Sequence, residues 1–494
     1  MNIRLVGNLL GKLLLLEAGL MFPSFIVSLA CAGTDRMAFV ATIALLACVG
    51  GTLNLAARPR VHDLRAREAF IVVSTGWILL SAFGALPFRL SGAIPAYVDA
   101  FFETVSGFTT TGASILPQVE TLPRGVLFWR SFTHWIGGMG VLVLTLAITP
   151  KVTGRTSHLM RAESPGPELS RLVPRMGETA KILYLIYVAL TLANIVALLL
   201  AGLPAYDACI HAFGTAGTGG FSSRNLSVGA YDSVAVDVIT TVFMLMFGLN
   251  FAFYFHVLTS GLRKAARNEE LIAYLCIVGA AILIVTLNIL PLFGGGFFRS
   301  LRYASFQVAS IVSTTGYFTA DFNAWPQLSR AILVGLMLMG SCAGSTAGGV
   351  KTIRVLLLCK NVRRQVRNTF MPRRVSLVKL DGKTVEEATL SQVGLFFFAY
   401  IGLLLVATVF VSADGFSLTT NFTAVLSAIS NVGPCLGDEV GVLGNYGVYG
   451  APSKLVLSFC MLAGRLEIFP MFVLLSPRAW GLCRAGRPRG KARA

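Results

Sequence analysis

The amino-acid sequence predicts an all-α membrane protein, and three observations lead to this fold class. Hydrophobic residues make up 55% of the 494 residues and charged residues only 13%, whereas soluble proteins carry about 25% charged residues. Apolar stretches of about 20 residues, the length that crosses a bilayer, recur from end to end. Four short segments rich in threonine and glycine interrupt this pattern. We therefore expect a bundle of membrane helices with no sizeable soluble domain.

The first element is an N-terminal hairpin, which we assign to residues 1–68. Its two spans are expected near 9–31 and 37–57, and a basic cytoplasmic loop follows them. The first apolar stretch is long enough to span, and a second span follows at once, so it does not resemble a cleaved signal. We expect the hairpin to remain in the mature protein.

The rest of the chain is predicted to contain four similar units. Each unit has one span, an apolar segment too short to cross, a Thr/Gly break and a second span. Runs of 10–14 apolar residues suit re-entrant helices better than spanning ones. The predicted units are residues 69–180, 181–270, 271–389 and 390–494, the last including a basic C-terminal tail. The predicted pairs of spans are 69–90 and 125–149, 181–203 and 234–261, 271–293 and 329–358, and 391–412 and 453–476. The short segments between them are 95–108, 205–216, 299–313 and 418–430.

The distribution of charge argues for a membrane rather than a nucleic acid as the partner of this basic chain. The formal net charge is +18, but Lys and Arg gather in short loops between apolar spans, such as "ARPRVHDLRARE" (57–68) and "KNVRRQVRNTFMPRRVSLVK" (360–379). This is the positive-inside pattern. It predicts a multi-pass protein with both termini in the cytoplasm and basic loops that contact anionic lipid headgroups.

The chemistry-bearing residues do not point to an enzyme. The nine cysteines are scattered without a CxxC pair, and none of the five histidines is paired at a metal-ligand spacing. A lone His134 is expected to be a packing residue. No nucleotide-binding motif is present, so any response to a nucleotide must come from a partner. We expect neither catalysis nor an organic cofactor in this chain.

The four breaks read "SGFTTTGAS" (106–114), "AGTGGFS" (216–222), "STTGYFT" (313–319) and "SNVGPCL" (430–436). Their glycines Gly112, Gly219, Gly316 and Gly433 are 107, 97 and 117 residues apart, which indicates an internal repeat. Irregular backbone at membrane depth must be buried in protein or line water. Four parallel units meet this condition by packing around one axis, with backbone carbonyls replacing the water shell of a cation. The negative ends of the short helices would favour that cation. The breaks therefore predict a cation filter in one central pore.

These motifs, with "FTHWIGGMGVLVL" (132–144), "GSCAGSTAGGVKTIRV" (340–355) and "GRLEIFPMFVLLSP" (464–477), resemble the TrkH/TrkG/KtrB family of potassium-uptake proteins over nearly the whole chain, and its TrkH branch most. The resemblance implies a four-fold pseudosymmetric pore within one subunit, with the four units as pore repeats. It also implies a homodimer in the bacterial inner membrane, K⁺ as the transported ion, and a cytosolic TrkA-type ring of nucleotide-binding regulatory subunits.

The resemblance also implies which residues form the filter. The positions that match are Thr110, Thr111 and Gly112, Gly217, Thr218 and Gly219, Thr314, Thr315 and Gly316, and Asn431, Val432 and Gly433. Glycine in all four loops goes with potassium in this superfamily. One departure is Cys435, where the family usually has glycine, and this change could alter the outer vestibule and its sensitivity to thiol reagents.

Two further features inside the membrane region are candidates for a gate. Arg465 either faces the pore below the filter as a barrier, the role that the resemblance implies, or snorkels to the cytoplasmic interface. The glycine-rich stretch at 340–349 either is a flexible intramembrane loop or is a close helix-packing face. The candidate gate residues in and after it are Gly344, Ser345, Thr346, Ala347, Gly348, Gly349 and Lys351. Glu467 is expected to pair with a basic group that the sequence does not identify.

The sequence thus predicts a potassium-conducting uptake protein driven by the membrane potential. The alternative is a symporter coupled to protons or sodium, which would need carboxylates buried at mid-membrane. Besides Glu467, the candidates are Glu17 in the first hairpin and Asp237 near an outer end. The loop at 161–175 is expected to contact a regulatory partner.

Overall fold

The computed structural model describes residues 2–57, 66–140, 176–371 and 376–477, and these ranges are largely helical. In them, six helical segments are long and apolar enough to cross a membrane: Ile3–Ala30, Arg36–Ala56, Arg67–Leu90, Thr179–Leu200, Glu269–Phe293 and Glu387–Asp414. A seventh is counted if the bent pair Val234–Phe247 and Phe251–Ser260 is one span. The prediction of an all-α multi-pass membrane protein is confirmed. The loop at 161–175 and the C-terminal tail lie outside the described residues.

The N-terminal hairpin consists of Ile3–Leu20, its continuation Phe22–Ala30, and Arg36–Ala56. Two glycines allow its helices to approach closely. A Cβ added at Gly11 or at Gly50 would come closer than 3.0 Å to the backbone of the other helix. Buried Asn8 donates hydrogen bonds to the main-chain and side-chain oxygens of Asn54. The hairpin packs against the first helix of the first unit.

Each of the four units contains a first helix, a short helix and a second helix. The first helices are Ala66–Gly84, which Leu86–Leu90 extends, then Met176–Leu200, Glu269–Ile289 and Glu387–Val411. The short helices are Tyr97–Phe108, Ala205–Gly217, Phe297–Val312 and Leu418–Ser430. The second helices are Arg124–Gly138, Val234–Phe247, Gln327–Met339 and Ala451–Arg465. The helices that follow them are Phe251–Ser260, Leu262–Ala265, Thr352–Phe370 and Phe469–Leu475. The strands Lys379–Leu380 and Lys383–Thr384 pair antiparallel.

The second spans of three units are interrupted in the structure, whereas the sequence predicted an interruption in the third unit alone. In the second unit the chain bends by 86° after Phe247. In the third unit the helix ends at Gly340, whose φ is +69°, and helix resumes only at Thr352. The fourth ends at Arg465 and resumes at Phe469. The first ends at Gly138, and residues 141–149 of its predicted span lie outside the described ranges. The breaks in the second and fourth units were not predicted from the sequence.

The short helices occupy the centre of the molecule. Each one packs against the second helix of its own unit and against the second helix of the preceding unit. The series closes on itself, because the short helix of the first unit packs against the second helix of the fourth. An ion pair between Asp99 and Lys454, with 2.7 Å between the carboxylate and the ammonium, joins the same two helices. The four units therefore pack in a circle in chain order.

Candidate functional site

Each short helix ends in the same backbone turn. The first turn residue has a left-handed conformation although it is not glycine: φ is +55° at Thr110, +55° at Thr218, +56° at Thr314 and +56° at Asn431. Two residues later stands a glycine with positive φ: +78° at Gly112, +81° at Gly220, +81° at Gly316 and +100° at Gly433. A left-handed residue is uncommon outside glycine and Asn/Asp. Four copies of one unusual turn therefore show that the four breaks share one local structure.

These four turns lie against one another in a closed ring. A Cβ added at Gly112 would come closer than 3.0 Å to the main-chain oxygen of Gly219, and one at Gly220 to that of Thr315. The same holds for Gly316 against the oxygen of Val432, and for Gly433 against that of Thr111. The last contact returns to the first turn, so the ring is complete. Glycine is required at these four places both by the backbone conformation and by the neighbouring carbonyl.

The second turn lies one residue later in the chain than the sequence indicated. Gly220, not Gly219, has the conformation of Gly112, so the matching triplet is Thr218–Gly219–Gly220. Gly217 is the last residue of its short helix, and a Cβ there would overlap the main-chain oxygen of His134. The other three triplets have the register that the sequence indicated. In "GTGG" (217–220) both Gly219 and Gly220 follow a threonine closely enough to match the other breaks. The backbone conformation shows that Gly220 is the counterpart of Gly112.

One cavity of about 130 Å³ adjoins all four positive-φ glycines. Its other lining residues include Ser114, Arg130, Ser222, Arg224, Leu443 and Tyr446. The Tyr446 hydroxyl donates a 2.8 Å hydrogen bond to the main-chain oxygen of Gly433. Cys435 is fully buried, and its thiol donates to the oxygen of Val440 over 2.9 Å. The departure at Cys435 therefore places no exposed thiol at the mouth of the ring.

Side-chain hydrogen bonds fix the turns to their surroundings. The hydroxyls of Thr109 and Thr111 lie 2.8 Å apart, and those of Ser313 and Thr315 lie 2.7 Å apart. The Asn431 amide donates to the Thr111 hydroxyl over 3.0 Å, which joins the fourth turn to the first. These bonds restrain the ring without using the main-chain oxygens of its middle residues.

A buried ion pair that the sequence reasoning missed supports the first and second turns. Arg130 and Glu103 are 3% and 1% exposed, and Nε lies 2.6 Å from Oε1. Glu103 also accepts from the amide of Ile115, and Arg130 donates to the oxygen of Ser222. The guanidinium lies 3.5 Å from the centre of the Phe221 ring. The sequence signal that could have identified this pair is one acidic and one basic residue, Glu103 and Arg130, each inside an apolar helix.

The His134 ring packs beside the same turns. It stacks on Phe221, with 4.1 Å between ring centroids, and its Nδ1 lies 2.7 Å from the oxygen of Gly107. A Cβ at Gly219 would overlap this ring. His134 therefore acts as a packing residue beside the ring of four turns.

The stretch 340–351 is an irregular loop attached to several units. Its Gly348 amide donates to the hydroxyl of Thr314 over 2.7 Å, directly at the third turn. A Cβ at Gly348 would overlap the oxygen of Ser430, at the end of the fourth short helix. The amide of Ala343 donates to Glu270 over 2.7 Å. The interruption predicted here is confirmed, and the loop lies against the third and fourth turns.

The remaining candidates of this stretch are partly or fully buried in the loop. Gly344 has φ +70° and accepts from the amide of Phe251, at the bend of the second unit. Lys351 is 2% exposed, and its ammonium donates to the oxygen of Ala347 within the loop. The Lys351 side chain is therefore held inside the loop. Ser345, Thr346 and Gly349 lie in the same loop, and Ser345 donates to the oxygen of Cys342.

Arg465 joins segments of the first, third and fourth units. Its guanidinium donates to the oxygens of Gly137 and Gly138, at the end of the first unit's second helix, and to the oxygen of Thr346 over 2.7 Å. The partner of Glu467, which the sequence left unidentified, is Arg354 at a distance of 2.6 Å. Arg465 is therefore fixed among carbonyls beside the loop 340–351.

Comparison with known proteins adds an independent finding. A family model described as TrkH, a cation transport protein, matches residues 35–278 and 298–480. The Trk system potassium uptake protein TrkH of Salmonella typhimurium is 36% identical over 487 residues, covering 97% of this chain and 100% of that protein. TrkG of Escherichia coli is 30% identical over 482 residues, covering 97% and 99%. The crystal structure of the potassium transporter TrkH from Vibrio parahaemolyticus superposes with a TM-score of 0.87 at 34% identity, covering 97% of this chain and 100% of that one.

Proposed function

Because the chain belongs to the TrkH family of cation transport proteins, we propose that it is the potassium-selective, ion-conducting subunit of a bacterial potassium-uptake system. Its relatives are named potassium uptake proteins of Trk systems. Membership of a transport family agrees with the prediction that the chain is not an enzyme. The single observation that carries the proposal is the closed ring of four glycine turns.

In this proposal the ring is the potassium filter. Oxygens of the four turns replace the water shell of K⁺, as in other channels with carbonyl filters. The filter comprises the triplets Thr110–Thr111–Gly112, Thr218–Gly219–Gly220, Thr314–Thr315–Gly316 and Asn431–Val432–Gly433. The four short helices end at the ring, so their negative ends favour a cation there. The contacts between neighbouring turns support a ring whose diameter is set by main chain packed on main chain.

The charge distribution gives the orientation of the chain in the membrane, and the membrane potential then gives the direction of transport. We place the basic segments and both termini in the cytoplasm, following the positive-inside rule, and the chain in the bacterial inner membrane. The cavity beside Tyr446 is then the outer vestibule. At an inside-negative potential each 100 mV favours entry of one K⁺ by about 2.3 kcal/mol, so uptake needs no coupled ion.

The gate in this proposal consists of the loop 340–351 and Arg465. The loop reaches the third turn through Gly348, and Arg465 binds the loop at Thr346. A fixed positive charge beside the ring raises the barrier for a cation, and a glycine-rich loop can change conformation at low cost. Gate opening then requires that both leave their present positions.

Regulation by a cytosolic TrkA-type ring of nucleotide-binding subunits completes the proposal, together with a homodimer. The helix Thr352–Phe370 supports a cytosolic contact. It carries exposed apolar side chains at Val362 (63% exposed), Val366 (53%) and Phe370 (80%), which share one face at helical spacing. The same helix is rich in Arg and Lys, which does not suit lipid burial. The homodimer rests on the family resemblance.

The experiment that tests this function is ion flux in proteoliposomes that contain the purified chain alone. Vesicles loaded with KCl and diluted into an impermeant cation develop an inside-negative potential, and ⁸⁶Rb⁺ uptake is recorded. We expect uptake that external K⁺ blocks and external Na⁺ does not. Uptake no higher than in empty vesicles, or equal block by both ions, would refute the proposal.

One observation favours the alternative of a proton- or sodium-coupled symporter. Glu17 is 1% exposed, and within the described part of the chain neither carboxylate oxygen has a hydrogen-bond partner. A Cβ added at Gly84 would touch Glu17, Thr104 and Phe108 together, so this carboxyl lies beside the first short helix. The sequence had placed it outside the pore units.

Glu17→Gln separates the two functions. Conduction driven by potential alone predicts that this variant keeps native ⁸⁶Rb⁺ uptake. If Glu17 is a coupling site, uptake in the native chain requires an imposed proton or sodium gradient, and the variant loses that requirement or the uptake itself. Both vesicle preparations are measured with and without the imposed gradient.

A further inference from the structure

The break after the fourth unit's second helix is strained. Glu467 and Ile468 are consecutive residues with φ of +59° and +66°. Positive φ at a β-branched residue is a genuine outlier. Such conformations persist only where the surroundings hold them, and they concentrate at switch regions. Ile468 is fully buried, and its amide donates to the oxygen of Ala463 over 2.6 Å. The turn is therefore held by its neighbours.

One of those neighbours is Arg354, which lies 113 residues away in sequence. Its guanidinium donates to Glu467 over 2.6 Å, and the two side chains are 6% and 23% exposed. It also donates to the oxygen of Val350, in the loop 340–351, over 3.3 Å. The Phe396 ring lies 4.0 Å from the guanidinium. Arg354 thus connects the strained turn to the end of the loop.

The same turn contacts the loop at a second place. Arg465, two residues before Glu467, donates to the oxygen of Thr346. The fourth unit therefore holds the loop through Arg465 in its middle and through Glu467 at its end. If the bond to Arg354 is lost, the turn can relax towards ordinary backbone angles, and Arg465 shifts with it.

We propose that Arg354 and Glu467 are positioning residues that fasten the loop 340–351 to the strained turn, so that the loop and Arg465 leave the pathway together. The inference rests on the proposed function, because it assumes that both form the gate. Arg354 lies in the first turn of the helix Thr352–Phe370. A pull on the cytosolic end of that helix would reach Arg465 through this ion pair.

A double-mutant cycle in proteoliposomes tests the proposal. The variants are Arg354→Gln, Glu467→Gln and the double variant, and basal ⁸⁶Rb⁺ flux is measured on the chain without any partner. We expect each single variant to raise basal flux about five-fold or more, the lower end of usual coupling between sites. The double variant should show no more flux than the larger single effect, because both changes remove one bond. The K⁺ over Na⁺ preference should stay native in all three.

Arg364→Gln is the matched control. Arg364 lies on the same helix and pairs with Glu387, but Glu387 is 69% exposed, and this bond does not reach the strained turn. Its loss should leave basal flux at the native level. Arg354→Lys keeps the positive charge but loses the planar guanidinium group, so it should give intermediate flux. This variant provides a second test if the Gln variants do not purify as folded protein.

The outcomes separate the two proposals. If the native chain shows no K⁺-selective flux, the proposed function fails. If native flux is selective but Arg354→Gln and Glu467→Gln leave it unchanged, the ion pair does not position the gate. Additive effects in the double variant would likewise overturn the inference, because the two residues would then act separately.

Discussion

Gly112→Ala provides the sharpest test of the filter. Gly112 has φ of +78°, and an added Cβ would overlap the main-chain oxygen of Gly219 in the next turn. The left-handed conformation costs a residue with a Cβ roughly 1–2 kcal/mol. The oxygen of Gly219 must also move, because the neighbouring atom is backbone and cannot rotate away. One or two kcal/mol corresponds to a factor of about 5–30 in an equilibrium.

We expect that Gly112→Ala lowers the preference for K⁺ over Na⁺ by at least about 5-fold, the lower end of that range. The assay is competition of external K⁺ and Na⁺ against ⁸⁶Rb⁺ uptake in proteoliposomes. Gly92→Ala is the control variant for backbone strain without steric overlap. Gly92 has a φ of +79°, and nothing lies within 4 Å of the added Cβ. This control should keep native selectivity.

A folded Gly112→Ala protein with native selectivity would refute the reasoning that the ring contacts set the ion preference. The same loss of preference in Gly92→Ala would also refute it, because the effect would then come from backbone strain at any site. Gly220→Ala extends the test to the second turn. Its added Cβ meets the oxygen of Thr315, so it should resemble Gly112→Ala.

Three further predictions concern the surroundings of the ring. Arg465→Gln removes a positive charge that is bonded to Thr346, and it should raise ⁸⁶Rb⁺ flux while K⁺/Na⁺ competition stays native. An impermeant cationic thiol reagent added outside should leave native flux unchanged, because Cys435 is fully buried, but should inhibit Leu443→Cys, since Leu443 is 62% exposed. Asp99→Asn leaves Lys454, whose side chain is 7% exposed, without its carboxylate. We expect the free energy of unfolding of the purified protein to fall by about 1–3 kcal/mol. An unchanged midpoint of thermal unfolding would contradict this account.

Much of the architecture could be predicted from the sequence because it is encoded locally. Span length, charge alternation and the four-fold recurrence of Thr/Gly breaks depend on residues close together in the chain. For the same reason the sequence indicated which glycine has the repeated positive φ in three of the four turns, since each of them contains one unambiguous glycine. The interruption at 340–351 was also predictable, because its glycines and small polar residues disfavour a helix within a few positions.

Other features were decided only when distant segments came together. "AGTGGFS" offers two glycines after Thr218, and the positive φ of Gly220 and its contact with the carbonyl of Thr315 in the next turn identify it as the counterpart of Gly112. The pairing of Glu467 with Arg354 joins residues from two different units, and no local pattern records which charges will meet. In the break after Arg465, the β-branched residue Ile468 has a positive φ, against local preference. Such a conformation exists because the packed circle of units holds it, so composition and spacing could not predict it.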